Sequence, residues 1–507
     1  MFRFKKSCLL VRVGRVHPVS SRLVGIAWLL LLLALAPARL WADPTAPSNP
    51  KGYRDIGWDC YLQGDYTNAI TNFTKAIRQN PRDASAYNCR ALAKEEIDDL
   101  PGALADYRMA ANLNPNWALV YVNCGELLEH RTNKLSIAIA DYTEAIRLEP
   151  ANANTYIIRA RAFEEQTNYD KALNDYNSAI QLESTNATFL SWRGDFFNQM
   201  TNYDAAIRDY NEAIRLDPTN TWYLGKRSNL YEHMTNYDAA ISDLTQCIQL
   251  QPTNAHGYMG RAYLKEKYGW ALTKLGNQTK ANEILEQLLN DYRQAAELDS
   301  VNLSTLGYIE YKHGLYDDAI ADYTKHLKTP PDHFEASMSR AMRAYAYERV
   351  ANNDTKRADL KKKNAVLEQA LADWNQLCSS ETNLEEDSEW LCERADFYAR
   401  NNQFTNALAD YQKAVELEPT NSHPLISLAS FLATCPDPSF RNGTQAMVFA
   451  HKACDPDHSK YQLGLTGLAA AYAETGDFEQ AVNLQNKALQ LLEAMQQKLG
   501  TFGFGAL

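Results

Sequence analysis

Asn202 to Pro218 reads NYDAAIRDYNEAIRLDP. Apolar or small residues fall at Tyr203, Ala206, Ile207, Tyr210, Ala213, Ile214 and Leu216. Spacings of three and four put them on one face of a helix. Thr201 and Asn202 make a turn before this helix, and Pro218 closes it. The pattern returns at Asn168 (NYDKALNDYNSAIQLES) and Asn236 (NYDAAISDLTQCIQLQP), and more loosely from Gly64, Leu135 and Gln403. The closing residue stands at Pro81, Pro115, Pro150, Ser184, Pro218 and Pro252, in steps of 34, 35, 34, 34 and 34. A fixed period near 34 predicts one helical hairpin per repeat, each stacked on the next.

In the second repeat, Tyr87, Ala91, Ala103, Tyr107, Ala110 and Pro115 are large, small, small, aromatic, small and Pro. That order resembles the tetratricopeptide repeat family, over nearly all of residues 50–495. The resemblance implies an all-α, right-handed superhelical solenoid of antiparallel helix pairs, about twelve hairpins in residues 50–499. It implies a generic protein-binding scaffold; the chain is read as one of exported bacterial type, and no catalytic residue, cofactor or metal is expected. The fold is a generic scaffold, so the resemblance names no partner.

The amino terminus is of another kind. Arg3, Lys5, Lys6, Arg12, Arg15 and Arg22 precede the apolar run Leu23 to Ala36, and Leu40-Trp41-Ala42 precedes Asp43. A basic segment, a 14-residue apolar core and a small residue before a polar start read as an export signal over 1–42. The run is shorter than the roughly 20 residues of a membrane span, so retention as an anchor is the second reading. Either reading takes the repeats out of the cytoplasm, to a periplasmic or extracellular site. Residues 43–49 are a polar linker, and 500–507 a loose tail. Residues 1–42 hold seven Lys and Arg and no acid; the rest of the chain has 44 basic against 62 acidic residues, a net charge of −18. That balance disfavours nucleic acid and favours a basic protein or peptide.

Two hairpins are stretched. The seventh, near 255–298, and the ninth, near 334–378, carry helix-compatible insertions and should project as knobs. Lys356, Arg357, Lys361, Lys362 and Lys363 make the tip of the ninth basic, suited to anionic lipid or a second partner. The eleventh hairpin is irregular, with two prolines and Asn442-Gly443 in its loop.

One substitution recurs. An Arg precedes the small residue of the first helix at Arg90, Arg159, Arg193, Arg227, Arg261, Arg340 and Arg394. The second helix of those repeats carries Asp106, Asp175, Asp209, Asp243, Asp291, Asp373 and Asp410. Repeat one lacks both, with Ile56 and Asn72. A half-buried guanidinium needs a carboxylate, so the two are expected to bond between helices. Repeat three, with Cys124 and Asp141, breaks the rule, and repeat eight does not align clearly.

In the resembling family the first helix lines the concave groove. The positions it implies are Glu95, Glu96, Glu126, Glu129, Glu164, Glu165, Asp195 and Glu232, with Arg161 as the one base: a wall that would attract a basic segment. The family's carboxylate clamp for chaperone tails is absent, since its positions hold Asn88 and Leu92, and Ser191 and Asp195. No phosphate loop, HExxH or GxSxG occurs. The nearest metal-like group is His451, Cys454, Asp457 and His458, with Cys435 nearby, on the eleventh repeat. Cys378–Cys392 and Cys435–Cys454 are the candidate disulfides. The readings beside a scaffold are an envelope assembly factor tethered by residues 23–36 and an enzyme built on the eleventh repeat.

Overall fold

The computed structural model describes residues 52–132, 134–329, 331–353, 360–379, 384–453 and 462–501. The apolar run 23–36, the linker 43–49, Lys356, Arg357, Cys454, Asp457, His458 and the tail from 502 lie outside them. The described residues form 24 α-helices and no strand.

The chain divides into two compact units, the first ending at Pro252 and the second starting at Thr253. The first contains six hairpins: α1 (Tyr53–Leu62) with α2 (Tyr66–Gln79), α3 (Ala84–Glu96) with α4 (Leu100–Leu113), α5 (Ala118–His130) with α6 (Leu135–Leu148), α7 (Ala153–Glu165) with α8 (Tyr169–Leu182), α9 (Ala187–Gln199) with α10 (Tyr203–Leu216), and α11 (Thr221–His233) with α12 (Tyr237–Leu250). The second contains six more: α13 (Ala255–Lys274) with α14 (Gln278–Leu298), α15 (Asn302–Lys312) with α16 (Tyr316–His326), α17 (His333–Asn353) with α18 (Leu360–Leu377), α19 (Leu384–Arg400) with α20 (Phe404–Leu417), α21 (Ser422–Thr434) with α22 (Gly443–Ala453), and α23 (Gln462–Glu474) with α24 (Phe478–Thr501). Within each unit every hairpin packs on the next.

The turn inside a hairpin follows from its sequence. Thr201 adopts φ 56°, and the amide of Asn202 donates to the Phe197 carbonyl at 2.8 Å. The Asn202 side chain then accepts from the Ala205 amide and caps α10. Gly64, Asp98, Thr167, Thr235, Gly276, Gly314, Asn402 and Gly476 hold the same left-handed position. The small residue of the first helix lets the pair close: a Cβ on Gly125 would lie 2.4 Å from Cε1 of Tyr142. Ala91, Ala103, Tyr107 and Ala110 are fully buried, and Tyr87 packs with Ala86 of its own helix on Ala76 and Ile77 of the hairpin before.

The seventh hairpin is longer by seven residues per helix, 20 and 21 in α13 and α14 against 13 and 14 in α9 and α10. At 1.5 Å per residue, that makes it about 10 Å longer than a regular hairpin. In the ninth, α17 has 21 residues.

Candidate functional site

Several hairpins carry two layers of polar contacts between their helices. On the first, Arg90 Nε and Nη2 donate to Asp106 at 2.8 and 2.7 Å, and Nη1 reaches Thr74 of the preceding hairpin. The arrangement repeats for Arg159 with Asp175 and Thr143, Arg193 with Asp209 and Asn177, Arg227 with Asp243 and Asn211, and Arg394 with Asp410 and Asn375. Arg261 bonds Asp291 in the lengthened seventh hairpin. These are forked, charge-assisted bonds with a buried acceptor. Each Arg thus joins its own hairpin and, where Nη1 reaches back, the one before it.

The ninth hairpin corrects the sequence reading. Asp373 is held by Arg343, not Arg340, at 2.8 and 2.6 Å. Both residues are followed by a small Ala, but only Arg343 stands 30 residues before its Asp, as Arg261 does. Repeats three and eight follow a variation the sequence hid. Asp141 is bonded by Arg108 of α4, at 2.7 and 2.8 Å, so the guanidinium comes from the preceding hairpin. Arg108 occupies the position that Asn177 and Asn211 hold elsewhere, two residues after the Asp. Arg293 has the same place after Asp291 and reaches Glu310 at 3.4 Å. Glu310 is buried against Asp322, and desolvation raises it to about 8.

The second layer contains the expected groove acids of the first unit. Three of the eight accept a hydroxyl hydrogen from the tyrosine of their own hairpin, each at 2.6 Å: Glu95 from Tyr107, Glu129 from Tyr142 and Asp195 from Tyr210. Asp195 also pairs with Lys226 at 3.0 Å, a base the sequence reading missed. Glu129 is only 6% exposed, so it is not part of an open wall. A helical wheel gives the face of a residue, not its depth, and the tyrosine draws this one inward. Glu96 and Glu165 are exposed, while Glu126, Glu164 and Glu232 are half-buried. Burial raises Glu95 and Glu126 to about 7; for Glu126 its neighbours Glu95 and Glu129 add to this, while Arg161 opposes it. Burial raises Glu129 and Glu164 as well. The layer therefore holds carboxyls poised near neutral pH, which an arriving cation would ionise.

A comparable cluster in the second unit escaped the sequence. Tyr345 bonds Glu393, Tyr411 bonds Asp396, and Arg400 forks onto Glu348 at 2.7 and 3.0 Å. Glu393 rises to about 7 through burial.

On the eleventh hairpin, His451 is exposed and its ring meets Tyr472 edge-on, while Cys435 is buried. Cys454, Asp457 and His458 lie outside the described residues. Cys378 and Cys392 are free thiols, and so is Cys435. Lys361 and Lys362 are exposed in the first turn of α18.

Family profiles described as TPR repeat and tetratricopeptide repeat match residues 57–98, 129–184, 159–221, 223–254, 266–295, 389–421 and 464–491. The chain is similar to Hsp70-Hsp90 organizing protein 1 of Glycine max, 32% identical over 65 residues that cover 13% of this chain and 11% of that one. It thus spans about a ninth of the length of the curated relatives it matches. Among solved structures it is similar to yeast Tom70, with a TM-score of 0.33 at 18% identity over 89% of this chain and 94% of that one. It is also similar to YrrB, a TPR protein with an unusual peptide-binding site, with a TM-score of 0.30 at 22% identity over 36% of this chain and 95% of that one.

Proposed function

The chain belongs to the tetratricopeptide repeat family, whose fold is a scaffold for protein interaction, and on that premise we propose a non-catalytic adaptor that acts outside the cytoplasm and takes a basic protein segment against the first-helix face of repeats two to six. The observation that carries the reading is the run of carboxyls on that face, from Glu95 and Glu96 through Glu126 and Glu164 to Asp195. Arg161 and Lys226 offset it only in part. Burial keeps Glu95 and Glu126 partly protonated near pH 7 when nothing is bound. A lysine or arginine of the partner would favour their charged form and release protons.

The export half of the reading rests on residues 1–42. Among the described residues no helix is long and apolar enough to cross a membrane. Sequencing the amino terminus of the protein recovered from its host tests this half. A start near Asp43 or Arg39 supports export with cleavage, an intact membrane-bound chain supports the tethered assembly factor, and an intact cytoplasmic chain defeats both.

The groove is tested by binding of a fluorescent Lys- and Arg-rich peptide to the wild type and to Glu96→Lys/Glu165→Lys. Both residues are exposed, so the change leaves the hairpins folded. The wild type should bind more weakly as salt rises, and the variant should bind severalfold more weakly at low salt. Equal binding by both proteins at low salt defeats the groove reading.

A further inference from the structure

The seventh hairpin ends in KYGWALTKLGNQTKAN, Lys267 to Asn282, which has three lysines and no acid in a chain of net charge −11. Acids resume only at Glu283 and Glu286, farther down α14. Leu272, Ala281 and Ile284 form a small core that holds the two helix ends together, so the tip is a built structure and not a fraying loop. Outside that core the tip presents apolar surface to solvent. Leu275 is 82% exposed in the turn, and Trp270 is 43% exposed one turn earlier. Lys274 Nζ stands over the Trp270 ring, 3.7 Å from its centroid, and Lys267 Nζ is 5.0 Å from that of Tyr263. Lys280 Nζ donates to the Tyr268 hydroxyl at 2.6 Å.

We infer that the tip of the seventh hairpin docks on an anionic lipid surface, with Leu275 and Trp270 entering the headgroup boundary and Lys267, Lys274 and Lys280 meeting the phosphates. An exposed leucine at the apex of a projection has no use in water. An indole with a lysine on its face is amphipathic in the sense that the membrane interface selects. Lysine stems lie along apolar surface and keep their charge toward phosphate. The extra length supplies the reach, since the hairpin is about 10 Å longer than a regular one. The ninth hairpin extends on the same edge, because its Arg343 and Asp373 have the 30-residue separation of Arg261 and Asp291 while the regular pairs are 16 apart. This site is separate from the acidic groove and does not rest on it.

The test is co-flotation of the full chain with phosphatidylcholine vesicles and with vesicles containing phosphatidylglycerol. Wild type should partition more strongly to the anionic vesicles. Each lysine near such a surface is worth about fivefold in partition, so Lys274→Glu/Lys280→Glu should lose at least about tenfold of the anion-dependent part. Leu275→Ser removes an apolar side chain that is already exposed, so it should weaken partition without loss of helical circular dichroism. The emission difference between wild type and Trp270→Phe should shift to the blue on adding anionic vesicles. Equal partition to both vesicle types, full retention by both tip variants, or an unmoved difference spectrum would each overturn the inference. Capture of an acidic protein by the tip in place of vesicles would overturn it too.

Discussion

Arg193→Leu removes a guanidinium that makes three hydrogen bonds, two to Asp209 at 2.8 and 2.7 Å and one to Asn177 at 2.7 Å. Asp209 keeps its place in the seam with its side chain 8% exposed and its partner gone. Breaking a fully buried pair costs about 3–5 kcal/mol. The Arg193 side chain is 21% exposed, so water reaches one end of the site and about 2–4 kcal/mol is expected. Asp209→Asn alone should cost a similar amount, because it leaves the guanidinium partly buried. The double variant copies Ile56 and Asn72 of the first hairpin, which folds without the pair, and should return to within about 1 kcal/mol of the wild type. Repeat proteins do not unfold as one unit, so the assay is native-state hydrogen exchange of the amides in α9 and α10. If the double variant loses the sum of the two single losses within about 0.5 kcal/mol, Arg193 and Asp209 are not coupled and the reasoning fails.

Glu126→Gln tests the raised carboxyl. Its folded pKa, about 7, exceeds the ordinary 4.5, so the folded state holds its proton more tightly and this group's contribution to stability falls as pH rises from 4.5 to 7. The variant should therefore gain about 1–2 kcal/mol over the wild type at pH 8 and little at pH 4.5, after discount for partial exposure, as read by chemical denaturation at both pH values. Gly125→Ala should cost about 1–3 kcal/mol, because the new methyl must displace the Tyr142 ring; exchange rates in α5 and α6 would show it, and unchanged rates would refute the close approach. Thr201→Gly should slow exchange in α10, by about 1 kcal/mol, since a β-branched residue at φ 56° is strained.

The hairpin lattice was legible because every repeat must bury the same face against its neighbour, so period and spacing carry the whole pattern. The Arg–Asp bonds were legible for a related reason: a guanidinium and a carboxylate in a seam must be gained or lost together, and Ile56 with Asn72 showed the loss. Arg343 was misread because SRAMRA offers two Arg-Ala steps one turn apart, and only the pairing distance chooses between them. Arg108 and Arg293 were invisible because their acids lie on the next hairpin, outside the spacing that the other pairs teach. The groove acids were placed on the right helices, but nothing in their spacing showed that Tyr107, Tyr142 and Tyr210 would engage them from below.

The relocation of Arg108 and Arg293 decides where hairpins can be excised. Removing the fifth hairpin, α9 and α10, would bring Asn177 to Arg227, a junction of the kind that Asn211 and Arg227 already make. Removing the third, α5 and α6, would bring Arg108 against Arg159 with Asp175 as the one acid between them. Removing the eighth, α15 and α16, would set Arg293 against Arg343 in the same way. The cassettes of this chain are thus interchangeable along most of their length and keyed at two seams, and a deletion series should fail at those seams first.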